Sequence, residues 1–209
     1  DKLNDHQRRQ DFLRYNGDLV VMTTILLIAG GLLTAITLGL FQLIDLQIEE
    51  FYSQYIVISG LAASPIAGTY LVQTNPQLVN KVSPVIARVF TPLVLVTLVT
   101  YLIAVIYTGK DPYNDREFLL LFNLLLVGVM AIILFSIAET GKNTGRTGIL
   151  LLSGLSIVTI IINGIALSAI LFRITEWGIT PNRLAVLGAN LLMLINLLLI
   201  TYRLIRTIK

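Results

Sequence analysis

Residues 19–44 read LVVMTTILLIAGGLLTAITLGLFQLI, a run of 26 residues between Asp18 and Asp45 without one ionisable side chain. At about 1.5 Å per residue, a helix of this length covers the roughly 30 Å hydrocarbon layer of a bilayer with length to spare. Lipid offers no partner to a bare peptide group, so such a run must close its hydrogen bonds within itself, as a helix. The surrounding solvent is therefore lipid.

Five further stretches have the same character, at 54–73, 92–108, 118–138, 149–172 and 182–202, and none carries an ionisable residue at mid-depth. The expected fold class is all-α: a polytopic transmembrane helical bundle of about six spans over residues 19–209, behind a polar lead-in at 1–18. Composition agrees. Hydrophobic residues make up 56% of the chain and charged residues 13%, where soluble domains carry roughly a quarter charged. A water-soluble chain of 209 residues could not hide that much apolar surface in one core.

Composition also excludes several kinds of chemistry. The chain has no cysteine, which rules out disulfides, thiolate metal sites and thiol nucleophiles. Its single histidine, His6, lies in the polar lead-in and reads as a solvated side chain. No basic tract is long enough to suggest nucleic acid. The opening Asp-Lys-Leu-Asn-Asp has none of the pattern of a signal peptide, and the chain is expected to be the membrane region of a longer protein.

Local signals set the boundaries. Gly30, Gly31 and Gly39 in the first span allow close helix contact. Ser64-Pro65 removes a backbone donor and is expected to kink the second. Ser83-Pro84 reads as a cap with proline at the first helical position, with 83–91 expected as an interfacial turn that feeds a third span from Pro92. Asn114 and Glu117 match a capping box before the fourth span. Residues 173–183 are expected to be a connector in which Thr180-Pro181 repeats the cap-then-proline signal.

Charge gives an orientation. Eleven of the fifteen Lys and Arg residues, but only five of the twelve acids, fall on the side that carries both termini. The excess of basic residues marks cytoplasmic loops, so both termini are expected in the cytoplasm. Tyr52, Tyr55, Tyr107, Phe172 and Trp177 at the outer boundary, with Tyr15, Phe90 and Tyr202 at the inner one, read as interfacial aromatic belts.

Polar residues inside the spans are few, so each is a candidate site. Asn123, Asn163 and Asn190 lie on three different spans, about 10, 15 and 10 Å below the outer surface at 1.5 Å per residue. Three amides at similar depth could meet. The plainer reading, and the favoured one, is that each hydrogen-bonds a neighbouring helix, a contribution of about 0.6–2 kcal/mol. Asn196 is about 240° around its helix from Asn190 and is expected to face elsewhere. Asp111, Asp115, Arg116, Glu117, Arg173, Glu176 and Arg183 form a candidate outer ion-pair cluster. Paired carboxylates there could serve acid–base chemistry or hold calcium, but their spacing matches no calcium loop, and helix caps with exposed ion pairs account for them. No phosphate loop, serine–histidine arrangement or metal-binding helix is present, and no cofactor is expected.

Two of these segments carry a resemblance. Asp111-Pro112-Tyr113-Asn114-Asp115-Arg116-Glu117 and Arg173-Ile174-Thr175-Glu176-Trp177-Gly178-Ile179-Thr180-Pro181-Asn182-Arg183 resemble a bacterial membrane family catalogued as domain-of-unknown-function family 4153. The second segment is similar to that family's Arg-Ile, two variable residues, Tyr-Gly-Leu-Thr and a distal Arg, with Trp177 and Ile179 in place of the tyrosine and leucine. The resemblance implies a bacterial inner-membrane protein and no known activity. It also points to contact between the two loops, with Arg173 or Arg183 paired to Asp115 or Glu117.

The expected role is a structural, assembly or anchoring membrane domain whose partners are lipids and other membrane subunits or an upstream segment. The alternative is a transporter or channel component with a polar path near Asn123, Asn163 and Asn190. A lipid-modifying membrane enzyme using the outer carboxylates ranks third.

Overall fold

A computed structural model describes the backbone of residues 6–74, 82–109, 116–143 and 146–208, and the side chains of 9–74, 85–109, 118–138 and 146–207. Among the described residues there are six helices long and apolar enough to cross a membrane and no strand. They are α1 (His6–Leu43), α2 (Glu49–Thr74), α3 (Val82–Thr108), α4 (Arg116–Asn143), α5 (Arg146–Trp177) and α6 (Pro181–Ile208). The chain is a multi-pass helical membrane protein.

Each helix is longer than its apolar run. The polar lead-in is continuous with α1 from His6. α3 starts at Val82 and runs unbroken through Pro92, so 83–91 is helix and not the expected turn. The backbone explains this. A proline inside a helix loses one hydrogen bond, whereas ending a helix in lipid would expose several peptide groups. α2 likewise passes through Pro65. That proline cannot bond the Leu61 carbonyl four residues earlier, and the Ser64 hydroxyl donates to it instead, at 2.9 Å. Near its N-terminus α2 widens into a π-helical turn over Tyr52–Val57. α5 extends through Trp177, which leaves only residues 178–180 as the connector to α6. The proposed cap at Asn114 lies outside the described residues, and the side chains of Ser83 and Glu117 are not described.

Helix ends are closed by identifiable groups. α1 ends with Asp45 at φ 56°, its N–H donating to Gln42 O and the next N–H, of Leu46, reaching back to Phe41 O, both at 3.0 Å. This is a Schellman closure with aspartate where glycine is usual. Gly178, at φ 76°, follows α5. The Thr180 hydroxyl accepts the Arg183 N–H at 3.3 Å, so Thr180 caps α6 with Pro181 at its first position, as the sequence indicated.

α5 is the axle of the bundle. In its most apolar window 44% of the residues are buried, against 17% in α1 and in α6. It packs most extensively on α6 and also touches α3 and α4, while α2 leans chiefly on α1. The core between α1, α3 and α4 is aromatic. Tyr101 meets Phe41 and Phe122 edge-on at 5.6 and 5.8 Å, and Phe118 stacks on Phe122 at 4.1 Å. Phe90 belongs to this buried core, not to the inner interfacial belt that its position in the sequence suggested.

Candidate functional site

α5 turns one narrow polar stripe into the bundle: Ser153, Ser156, Thr159 and Asn163 are all buried. These four positions are spaced by three or four residues, the interval that keeps side chains on one helical face. Ala166 and Ala169 continue the face toward the C-terminal end of α5, and their small side chains let α6 approach closely.

Asn163, Asn190 and Asn123 come together at this stripe. The Asn163 side-chain amide donates from Nδ2 to both Oδ1 and the backbone oxygen of Asn190, each at 3.3 Å. Asn190 donates from its own Nδ2 to Asn123 Oδ1 at 2.7 Å and to the Val186 carbonyl at 3.0 Å. The result is a directed chain of amides from α5 through α6 to α4. Asn163 and Asn190 are fully buried, and Asn123 is half-buried at the edge. Farther along the same seam, Thr201 Oγ1 on α6 lies 3.0 Å from Ser156 Oγ on α5, a second polar contact between the same helices. Asn196 is exposed and donates only to Leu192 O of its own helix.

The candidate ion-pair cluster divides. Asp111 and Asp115 lie outside the described residues, and Arg116 and Glu117 are described in backbone only. Arg183 reaches back over the α5 terminus, where its Nη1 donates to the carbonyls of Trp177 and Gly178 at 2.9 and 2.8 Å. A cation at that place satisfies carbonyls the helix leaves unpaired and complements its dipole. Arg173 and Arg183 both approach the Trp177 ring, at 5.5 and 5.9 Å from its centre. Glu176 is exposed. Holding the α5–α6 corner accounts for this part of the cluster: tryptophan, two arginines, Gly178 and the Thr180 cap are one turn structure.

No family model, curated protein sequence or solved structure matches this chain.

Two features escaped the sequence reading. Tyr101 is completely buried, and its hydroxyl and Asn163 Oδ1 are buried polar atoms without a hydrogen-bond partner among the described residues. A tyrosine in an apolar run looks like any interfacial aromatic until its neighbours are known. The second feature is a half-open cleft of about 750 Å³ where the end of α1 meets the start of α2, lined by Gln42, Asp45, Gln47, Glu49, Glu50 and Ser53 among others. Among the described residues, no three carboxylate or histidine side chains are grouped to hold a metal ion.

Proposed function

We propose that this chain is an anchoring or assembly domain of a bacterial inner membrane, with both termini cytoplasmic and lipids as its immediate surroundings. The observation that supports this reading is the use made of the interior amides. Asn123, Asn163 and Asn190 bond to one another across three helices, and two of them are fully buried. Side chains that line a water-filled path keep hydrogen-bonding capacity for the passing solute, whereas these spend most of theirs on fixing helix positions. The resemblance to domain family 4153 supports the bacterial placement.

A transport component is the second reading, favoured by the partial exposure of Asn123. It makes the amide chain a closed gate. The two readings separate in one experiment on the purified protein, reconstituted in liposomes and also cross-linked in native membranes. An anchoring domain gives no ion or solute flux above empty liposomes and captures the same partner subunit in repeated cross-linking. Flux that changes with Asn190→Leu, together with no recurrent partner, overturns the anchoring role and favours the gate.

A further inference from the structure

Of the asparagines on α6, one turns in and one turns out. The helix packs on α5 and touches α4; Asn190 is buried, whereas Asn196 is exposed. Asn196 stands in the apolar run between Arg183 and Arg203, seven residues inside Arg203, or about 10 Å at 1.5 Å per residue. An exposed leucine at that depth is in its own solvent, but an amide is not. One Nδ2 hydrogen of Asn196 goes to the Leu192 carbonyl of the same helix at 2.9 Å. The other hydrogen and the Oδ1 lone pairs have no partner among the described residues. Hydrocarbon offers none, and leaving such groups bare is costly.

The residues around Asn196 have the spacing of a helix seam. Ala185, Ala189, Leu192, Asn196 and Leu199 are all exposed and follow at intervals of four, three, four and three residues. That is the a/d pattern of a left-handed helix pair, with Asn196 at an a position, where one asparagine fixes register and the number of partners. At 3.6 residues per turn the five hold to a stripe about 80° wide. Arg203 is the next position in the series and ends it. Gly188 flanks the stripe with nothing within 4 Å of where a Cβ would be, so one copy of the chain leaves room there for another backbone.

We infer that this face of α6 binds the same face of a second copy of the chain, in parallel, about a two-fold axis along the membrane normal. An amide is its own complement. Copies inserted in one orientation hold Asn196 at equal depth, so the free Nδ2 hydrogen of each side chain reaches the Oδ1 of the other, and both unmet groups are satisfied by the same symmetric contact. A different helix would have to bring its own donor and acceptor to that depth. Ala185 and Ala189 let the two backbones close together toward the N-terminal end of α6. The pairing goes beyond the anchoring reading and is equally compatible with a transport component, since neither draws on this face.

The full chain in liposomes tests it. Protein carrying fluorescent donor or acceptor at its N-terminus is expected to show energy transfer that falls as added lipid dilutes it. Asn196→Leu weakens the pairing about tenfold, the effect of two interhelical hydrogen bonds, while Asn196→Gln keeps most of it. The chain has no cysteine, so single substitutions map the contact in native membranes. Ala189→Cys, Leu192→Cys and Leu199→Cys give disulfide-linked dimers on oxidation, whereas Leu191→Cys and Leu198→Cys, exposed but off the stripe, do not. Micelles holding one copy each keep the partners apart, so unfolding in micelles does not read this contact. A chain that stays monomeric in liposomes overturns the proposal, as does pairing indifferent to Asn196→Leu. Cross-links that ignore the pattern, or that run from the stripe to a different protein, overturn it too.

Discussion

Asn190 uses its side chain three times inside the bundle, donating to Asn123 and Val186 and accepting from Asn163. Asn190→Leu leaves Asn123 Oδ1 without its donor, while Asn163 keeps the backbone oxygen of residue 190 as an acceptor. The expected loss is about 1–2 kcal/mol in reversible unfolding in micelles, because interhelical bonds in membranes contribute modestly and the unfolded helices find other partners. Asn196→Leu is the matched control. That amide bonds only its own helix and faces out, so the same measurement should show little change. Gly178 supplies the other residue-scale test. Its φ of 76° is costly for a residue with a Cβ, and nothing lies within 4 Å of where that Cβ would be. Gly178→Ala therefore loses about 1–2 kcal/mol through backbone strain alone, read as a lower Tm with the α5–α6 corner otherwise intact.

At the scale of the elements, two glycines on α2 should behave in opposite ways. A Cβ on Gly68 would lie 2.8 Å from Thr23 Oγ1 and 3.4 Å from Leu19 Cδ1, because α1 packs closely on α2 there. The β-branched threonine has little rotamer freedom with which to yield. Gly68→Ala is expected to push the two helices apart and destabilise by about 1–3 kcal/mol, the usual range for overpacking. Gly60 has nothing within 4 Å, and Gly60→Ala should stabilise by roughly 0.5–1 kcal/mol through helix propensity. Thermal unfolding of both variants checks the pair, and a cysteine cross-link between α1 and α2 weakened only by Gly68→Ala would locate the effect. These helices also show which parts of the fold could be read from the chain. Apolar run length located all six helices, since lipid leaves the backbone no other choice. Proline was the signal that misled. In water Thr91-Pro92 is a credible helix start, but α3 passes straight through it. The meeting of Asn123, Asn163 and Asn190 was suggested by depth alone, which follows from residue counts. The unpaired Tyr101 hydroxyl was not legible, because burial depends on which face of α3 meets α1 and α4, and an all-apolar helix carries no periodic mark of its faces.

Over the whole molecule, the central question is which side of the membrane each loop faces. Six helices of crossing length place the termini on the same side if every one of them spans. α2 is the test of that condition. It has the lowest mean hydropathy of the six, 1.5 against 2.3 or more for the others, and it passes through both a π-helical turn and Pro65. Were it to enter and leave by the same face, the termini would part and the basic loops would no longer share a side. Two features argue that it crosses. Its helix from Glu49 to Thr74 is about 39 Å long at 1.5 Å per residue, more than the hydrocarbon layer requires. At its C-terminal end Gln73 Nε2 donates to Tyr15 Oη at 3.3 Å, so it finishes beside the start of the first apolar run. The absence of native cysteine makes the measurement clean. Single cysteines placed at positions 2, 47 and 205 should divide into two classes in intact cells. Position 47 should react with a membrane-impermeant maleimide, whereas 2 and 205 should react only after the membrane is opened. Labelling of 2 and 205 from opposite sides would make α2 re-entrant and reverse the charge argument for everything that follows it in the chain.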